Sequence, residues 1–320
     1  MPATNTNITI TPRAVYASSI TLIACWTLAY LAIEVFRDYA FGLFVWLPFM
    51  LGGCATMIYS YKRPAPRKAA RNISYWTMLL FCLGLLVFAW EGIICLIMAA
   101  PIGLLFTYIG HRMGYAFVRD AINGTPAAII LLFLSAPAFM AFEHTLKDNE
   151  ELRAVVTAIE ISASPQEVWE NVIAFPQLSE PTEFIFKTGI AYPVNATIAG
   201  SGVGAIRHCN FSTGSFIEPI TVWNEPILLR FSVTSQPEPM RELSMYDIHP
   251  NHLHGYWASK KGQFKLIPLA NGRTRLEGTT WYVNKIKPGI YWTLWSDHIV
   301  HSIHNRVLAH IKKVTEAQAL

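Results

Sequence analysis

Three side chains near the C-terminus have a spacing that could support chemistry. Asp297, His301 and His304 follow one another at i, i+4 and i+7 in an amphipathic stretch, which places them along one flank of a helix. They could hold a divalent metal with Cys209 or His208 as a further ligand, or act as acid and base. No CxxC or HExxH motif reinforces a metal site. We therefore interpret them as the polar lining of a pocket, and no metal or cofactor is expected.

A second polar pair lies in segments that are expected to form strands. If their strands point them inward, Arg207 and Glu218 become buried charges that must be paired. Such a pair inside an apolar pocket would fix the polar head of a ligand or tune a carboxyl group for acid–base work. Glu218 shares its strand face with Phe216 and Ile220, which favours an inward position. The alternative is a solvated position on the outer face of the sheet.

Histidines and aromatic residues provide further candidates. His249, His252 and His254 lie in the loop IHPNHLHGYW and could form a metal clasp or a pH-sensitive lid, because histidine titrates near neutrality. We favour a loop that docks onto other polar groups. Aromatic residues in the strands could line a pocket for an apolar ligand or simply form core. The pocket candidates among them are Trp223, Tyr256 and Trp281.

A long terminal helix and a set of antiparallel strands must position these residues. Residues 290–317 place Val300, Val307 and Leu308 on one broad apolar face. Ser164 and Glu167 form a capping box that starts a short helix. Together with a first strand at 153–162, the period-two segments give an α+β order of strand, helix, several strands and long helix. The later strands are predicted at 204–211, 215–223, 227–235, 256–268 and 273–283, the last two forming a hairpin around Asn271-Gly272.

The first half of the chain is too apolar for a soluble domain. Hydrophobic residues make up 52% of the chain and are concentrated before residue 146. Each of five segments is about long enough to cross a hydrocarbon core of roughly 30 Å. We therefore expect a membrane domain over residues 1–146 and a soluble domain over residues 150–320. The five expected spans are residues 15–36, 39–60, 73–90, 92–110 and 125–142.

Basic residues set the expected orientation in the membrane. Short loops rich in Lys and Arg stay in the cytoplasm, and residues 61–71 are the densest basic run. Placing them inside also places Arg13, Arg112 and Arg119 inside. With five crossings, the soluble domain lies on the outer, periplasmic face of a bacterial-type inner membrane; loss of one crossing would place it in the cytoplasm. Glu91, in a tight turn between two spans, is expected to be solvated.

Charge and cysteine usage exclude some classes of protein. The formal net charge of +4 comes largely from the basic stretch beside the membrane, so nothing points to a nucleic-acid partner. Cys209 is the only cysteine after the apolar segments, so the soluble half cannot form an internal disulfide. The first thirteen residues lack the pattern of a cleaved signal peptide, and none is expected.

Three segments, together with the closing helix, resemble the START-like or SRPBCC superfamily over roughly residues 153–315. They are ISASPQEVWENV, EPITVWNEPILLRFSV and GRTRLEGTTWY. The resemblance implies a helix-grip fold, in which an incomplete antiparallel sheet wraps around the last helix and leaves a hydrophobic pocket. Members of the superfamily bind lipids, sterols or polyketides, and some are polyketide cyclase/dehydrase-like enzymes. Their catalytic residues differ from one member to another, so none is transferred to this chain.

Two functions are compatible with these observations. The preferred one is a membrane-anchored binding or transfer protein for a lipid or other hydrophobic small molecule held in the helix-grip cavity. The alternative is an enzyme of the cyclase, dehydratase or hydrolase type, with Glu218 and Asp297, His301 or His304 as acid and base. That alternative requires these side chains to converge in the pocket. No nucleophile motif supports it, so enzymatic activity is left open. A sensor whose ligand alters the membrane spans is a third possibility.

Overall fold

The computed structural model describes residues 11–145 and 151–318, which cluster into two compact units. One unit contains five long helices together with Ser244–Asn251, and we refer to it as the helical unit. The other contains a seven-stranded sheet and three helices, and we refer to it as the sheet unit.

All five long helices of the helical unit are apolar and long enough to cross a membrane. The first and second each include a π-helical stretch, at Leu31–Phe36 and Gly42–Trp46, and a 3₁₀ turn at Ile122–Gly124 precedes the fifth. The α-helical parts are α1 (Pro12–Tyr30), α2 (Leu47–Ser60), α3 (Arg67–Val87), α4 (Ile93–Asp120) and α5 (Thr125–Thr145). With their π-helical stretches, the first two helices extend over Pro12–Phe36 and Gly42–Ser60.

Two of these helices run further than the apolar pattern predicted. α3 begins at Arg67 rather than at residue 73, because the residues between them include good helix formers such as Ala70. α4 continues to Asp120 rather than ending at residue 110, and it passes through Pro101 without a break. The apolar pattern predicts only the part of each helix that could lie in hydrocarbon, and the charged ends extend beyond it.

Glycines allow α2 and α4 to pack with their backbones in contact. A Cβ atom added to Gly52 would lie 1.9 Å from the carbonyl oxygen of Thr107, and one added to Gly110 would lie 2.0 Å from that of Phe49. Gly114 follows Gly110 by four residues. Small residues at this spacing are typical of close helix pairs in membranes.

Buried hydroxyl groups join α2, α3 and α4. Thr56 Oγ1 lies 2.8 Å from Ser74 Oγ and 2.9 Å from His111 Nδ1, and Ser74 Oγ donates to the carbonyl oxygen of Gly52 over 3.0 Å. All of these groups are buried. Hydrogen bonds between helices stabilise an apolar bundle because water does not compete for them.

Two carboxylates lie near the ends of the helices. Glu143 of α5 accepts from the backbone N–H groups of Phe41 and Gly42, over 3.1 and 2.8 Å, and so caps the start of the second long helix. Glu91 is only 6% exposed, so the expectation of a solvated turn carboxylate was wrong. Its backbone N–H lies 3.4 Å from the carbonyl oxygen of Leu85, which folds the turn back against α3.

The sheet unit is continuous from residue 151 to residue 318 apart from Ser244–Asn251. Its strands are β1 (Arg153–Ile161), β2 (Pro193–Ala199), β3 (Ile206–Phe211), β4 (Gly214–Asn224), β5 (Leu228–Ser232), β6 (Trp257–Pro268) and β7 (Thr274–Asn284). Its helices are α6 (Pro165–Ile173), α7 (Phe184–Lys187) and α8 (Gly289–Gln318), with 3₁₀ turns at Asn251–Leu253 and Ala270–Gly272.

The sheet curls around α8. Its strand order is β1-β7-β6-β5-β4-β3-β2, and every pair of neighbours is antiparallel. α8 contacts β1 and β7 at one side of the sheet and also β2 at the opposite edge. Arg306 of α8 donates to the carbonyl oxygen of Pro193 in β2 over 3.4 Å. A sheet whose two ends meet the same helix is consistent with the helix-grip fold.

Local sequence signals explain several boundaries of the sheet unit. The predicted capping box of α6 is confirmed, because Ser164 Oγ accepts from the backbone N–H of Glu167, whose carboxylate bonds back to Ser164. The predicted turn between β6 and β7 is also confirmed: Asn271 and Gly272 both have positive φ, 62° and 69°. The pattern did not predict β2, whose strand structure depends on its pairing with β3.

One stripe of α8 faces the sheet and is buried. The C-terminal half of this stripe packs with α6 residues such as Trp169 and with strand residues such as Leu229 into a large apolar cluster. The N-terminal half packs with Val155 and Tyr282 into a smaller apolar cluster. Apolar side chains of α8 and the sheet therefore pack against one another in the region where the cavity was expected. The buried residues of α8 are Trp292, Ser296, Val300, His304, Val307, Leu308, Ile311 and Thr315.

Candidate functional site

Arg207 and Glu218 form an ion pair in the interior of the sheet unit. They are opposite each other in the β3–β4 ladder, and Arg207 Nη1 donates to Glu218 Oε2. The tight turn between Phe211 and Gly214 sets this register. Arg207 is 1% exposed and Glu218 is 5% exposed. Both charges therefore lie in an environment from which water is excluded.

Aromatic rings surround the Arg207 guanidinium group. Its central carbon lies 5.6 Å from the ring centre of Phe175, 5.3 Å from that of Phe231 and 5.6 Å from that of Phe264. Its Nε donates to the carbonyl oxygen of Ile173 at the end of α6 over 3.2 Å. Aromatic faces attract a cation at these distances. We call this group of residues, Arg207 and Glu218 with the three phenylalanines, the arginine cage.

Burial dominates the electrostatics of the arginine cage. Burial raises the pKa of Glu218, and the attraction of Arg207 opposes the rise only in part. Although burial also disfavours its charge, the Glu218 carboxylate keeps the pKa of Arg207 above its usual range. Burial raises the pKa of the neighbouring Cys209 thiol to about 12, so this cysteine is an unreactive thiol in the folded chain.

The arginine cage is suited to binding rather than to proton transfer. A guanidinium group has five N–H donors and keeps its proton in proteins. Glu218, Ile173 and Cys209 are bonded to this group, so a polar group of a ligand would bind the remaining donors. The surrounding rings would contact the apolar part of the same molecule.

Asp297 lies elsewhere, on the flank of α8 that faces β1 and β7. It accepts from Arg153 Nε of β1 over 2.9 and 3.0 Å and from the hydroxyl group of Tyr282 of β7 over 2.7 Å. The hydrogen bonds from Arg153 hold the pKa of Asp297 below its usual range, although burial opposes the effect. Asp297 thus fastens the first half of α8 to the sheet.

His301 and His304 continue this row of polar contacts. The Oγ1 atom of Thr157 in β1 lies 2.8 Å from His301 Nδ1 and 3.0 Å from His304 Nδ1. His304 Nε2 lies 2.8 Å from the hydroxyl group of Thr280 in β7. Burial lowers the pKa of His304 to about 4, and His301 adds to the effect. His304 is therefore neutral near pH 7. It is buried, whereas His301 is exposed.

The side chains proposed as acid and base do not converge. Asp297, His301 and His304 bond to β1 and β7, whereas Glu218 bonds to Arg207. No hydrogen bond joins the two groups within the described part of the chain, and no group of metal ligands there includes any of the four. The convergence that the enzyme hypothesis required is absent from the described residues.

The aromatic candidates are dispersed. Trp223 packs edge-on against Trp169 at 5.6 Å between ring centres and borders the cluster that contains the arginine cage. Trp281 lies under the ammonium group of Lys261 at 4.8 Å. Tyr256 is half-buried just before β6. The three phenylalanines of the cage were not predicted as site residues, because alternating apolar residues in strands are ordinarily core.

The histidine-rich loop has separate neighbours. His249 lies 3.8 Å from Asp247, and His254 lies 3.6 Å from Glu238. The described residues contain no metal-ligand group made of the three histidines. Burial lowers the pKa of His252 to about 3, so this histidine is neutral near pH 7.

An open depression lies at the outer edge of the sheet unit, between β1 and α8. Its volume is about 370 Å³. Charged residues form much of its rim, which makes it unlike an enclosed pocket for an apolar molecule. The residues that line it are Ile159, Ala309, Lys312, Lys313, Glu316 and Ala317.

Comparisons with known proteins give a likeness to solved structures alone. No family model matches the chain, and no curated protein matches it. A point mutant of norcoclaurine synthase from Thalictrum flavum, in complex with a transition-state analogue, is 12% identical, with a TM-score of 0.35 over 54% of this chain and 100% of that one. A protein from Nitrosospira multiformis is 18% identical, with a TM-score of 0.33 over 52% and 99%. The Aha1 dimer from Colwellia psychrerythraea is 15% identical, with a TM-score of 0.31 over 51% and 96%. The helix-grip description therefore rests on the strand order and on the position of α8.

Proposed function

We propose that this chain is a membrane-anchored protein that binds or transfers a lipid or other hydrophobic small molecule in the helix-grip interior. The arginine cage is the observation that supports it. A buried ion pair costs desolvation and is often no more stable than an apolar pair of similar size. A charged pair enclosed by Phe175, Phe231 and Phe264 is explained if it binds the polar group of an otherwise apolar ligand.

Binding requires the interior to open, because apolar side chains of α8 and the sheet pack together there. Val307, Leu308 and Ile311 of α8 pack into the same cluster as Phe231 and Phe264. A ligand would take the place of some of these contacts and bury its own apolar surface, at about 25 cal/mol per Å². We propose that α8 and the phenylalanines of the cage move when the ligand enters.

The five apolar helices supply the proposed anchor. Each is long enough to cross a bilayer, and α5 is the last of them before the sheet unit begins. Residues 146–152 are the whole connection between α5 and β1. If α5 spans the membrane, so short a connection keeps the binding domain beside the bilayer, where apolar molecules are concentrated.

We propose a periplasmic position for the sheet unit. Arg13 bonds to the carbonyl oxygen of Arg63, and Tyr115 donates to that of Ala65 over 3.3 Å, so basic segments gather at one end of the helical unit. Basic ends of membrane helices face the cytoplasm, and five crossings then put β1 on the other side. Protease and thiol accessibility in sealed vesicles tests this orientation. Finding residues 61–71 and the sheet unit accessible from the same side would overturn it.

Mass spectrometry of molecules that co-purify with the full-length protein tests the binding function. Organic extracts of the wild type should contain an apolar molecule that has a polar group. The variant Arg207→Met with Glu218→Leu should lose it, since the apolar pair can fill the cage without binding a polar group. The matched control is Arg273→Gln with Glu160→Gln, which removes an exposed pair 3.0 Å apart. Equal retention by both variants would exclude the cage as the binding site.

A further inference from the structure

Three arginines of α3 and α4 lie near one another in the helical unit, and two of them bond to Tyr108. Arg112 Nη1 donates to the hydroxyl group of Tyr108 over 3.1 Å, and its guanidinium carbon lies 5.9 Å from the ring centre. Arg67 reaches the same hydroxyl group. Arg71 lies one turn further along α3, on the same face. All three arginines also lie near His111 of α4.

These three arginines have no carboxylate partner within residues 11–145. Their side chains are exposed. Arg119, near the end of the same α4 helix, is different, because it bonds to Asp120 over 2.7 Å. Like charges held close together repel unless an anion lies among them. The group of Arg67, Arg71 and Arg112, which we call the arginine triad, therefore has the charge and the donors to bind an anion.

The position of the arginine triad along the helices indicates which anion. α4 has 28 residues and is therefore about 42 Å long, which exceeds a hydrocarbon core of about 30 Å. Its last turns must extend beyond the core into the headgroup region. The triad combines Arg112, about two turns before the end of α4, with Arg67 and Arg71 in the first turns of α3. Tyrosine is enriched at this depth in membrane proteins.

We propose that the arginine triad binds the phosphate of an anionic phospholipid. A guanidinium group binds a phosphate through two parallel hydrogen bonds, which an ammonium group cannot do. The Tyr108 hydroxyl group bonds to both Arg112 and Arg67, which brings their guanidinium groups close together. This site rests on the proposed membrane anchoring, but it is distinct from the arginine cage and its test does not depend on ligand binding in the sheet unit.

Native mass spectrometry of the full-length protein, released from detergent after lipid titration, tests the proposal. The probes are phosphatidylglycerol, phosphatidylcholine and inorganic phosphate, each added separately and in competition. The test variant is Arg67→Gln, Arg71→Gln and Arg112→Gln together. The control variant is Lys62→Gln, Arg63→Gln and Arg119→Gln, which removes the same charge from the same region of the helical unit. Size-exclusion chromatography checks that each variant folds.

The wild type should bind phosphatidylglycerol in preference to phosphatidylcholine. The test variant should bind phosphatidylglycerol roughly a hundredfold more weakly, whereas the control should change by about threefold or less. Equal losses in the two variants would mean general attraction to a basic surface and would overturn the proposal. Binding of inorganic phosphate that displaces phosphatidylglycerol would also overturn it, because the site would then take a free anion.

If the glutamine variant does not fold, a second variant that keeps the positive charge provides the test. Replacing the same three arginines by lysine retains the positive field but loses the paired donors of each guanidinium group. We expect binding of phosphatidylglycerol to weaken about tenfold. Unchanged affinity in this variant would contradict a site built on guanidinium geometry.

Discussion

Arg207 and Glu218 lie opposite each other across β3 and β4 and form an ion pair that is almost completely buried. The guanidinium group is enclosed by three phenylalanine rings. The two partners are not equivalent when the other is removed. Arginine cannot lose its proton in the interior of a protein, whereas a buried glutamate can take one up.

Removing one member of the pair should therefore have an unequal cost. Glu218→Leu leaves a buried cation and should lower the free energy of unfolding by about 3–5 kcal/mol. Arg207→Met should cost less, because burial already raises the pKa of Glu218 and the carboxyl group can become neutral. The double variant should be the most stable of the three. Thermal unfolding followed by tryptophan fluorescence ranks them, and a double variant less stable than either single variant would refute this account.

His304 should make the stability of the sheet unit depend on pH. Its pKa is lowered from 6.5 to about 4 by burial, so the folded chain resists a proton that the unfolded chain accepts. The contribution of His304 to the free energy of unfolding is therefore fully present above about pH 6.5 and is lost progressively as the pH falls towards 4. The complete shift in pKa corresponds to a loss of roughly 3 kcal/mol in the free energy of unfolding.

Unfolding by denaturant at a series of pH values measures this effect of His304. His304→Gln should flatten the dependence of stability on pH between 6.5 and 4, because glutamine does not titrate. His298→Gln, on the exposed side of the same helix, is the control and should leave the dependence as it is in the wild type. If the free energy of unfolding of the His304 variant depends on pH as steeply as that of the wild type, His304 does not cause the dependence.

Two adjacent glycines of α2 should respond differently to alanine. A Cβ atom at position 52 would lie 1.9 Å from the backbone oxygen of Thr107, whereas one at position 53 would lie 3.5 Å from that of Gly110. Gly52→Ala must push α4 away and should lower the melting temperature in detergent by several degrees, at a cost of about 1–3 kcal/mol. Gly53→Ala should be nearly neutral. Similar melting temperatures for the two variants would mean that α2 and α4 are not in backbone contact.

Cys209 should report on opening of the interior. It is buried, follows Arg207 by two residues in β3, and has a thiol pKa raised to about 12 by burial. In the folded chain it should react with a maleimide much more slowly than a free thiol, because the thiolate is the reactive form. Peptide mass spectrometry separates it from the cysteines of the helical unit. Rapid labelling under native conditions would mean that the interior is already open to water.

Sequence signals predicted the features that depend on neighbouring residues. The capping box at Ser164 and the turn at Asn271-Gly272 require only a few consecutive side chains, and both are confirmed. The long apolar helices were predicted for the same reason, although Arg67 and Asp120 show that helices extend past their apolar parts. Patterns of this kind locate elements but not their partners.

The features that the sequence could not fix depend on residues far apart in the chain. Arg153 bonds to Asp297 across 144 positions, and no local pattern connects them. The inward position of Glu218 could be inferred from alternation, but its partner depends on the register of β3 against β4. The rings of the arginine cage come from three separate segments, and only the folded sheet brings Phe175 to Phe231 and Phe264. β2 was missed because its pairing with β3 defines it as a strand.

Photo-crosslinking with a diazirine-bearing lipid tests the central claim most directly. The full-length protein is reconstituted with the lipid probe and irradiated, and the labelled peptides are identified by mass spectrometry. We expect adducts on the β3–β6 peptides that carry Arg207, Phe231 and Phe264, and their loss in the variant Arg207→Met with Glu218→Leu. Adducts confined to α1–α5, with none in the sheet unit, would contradict a lipid-binding interior.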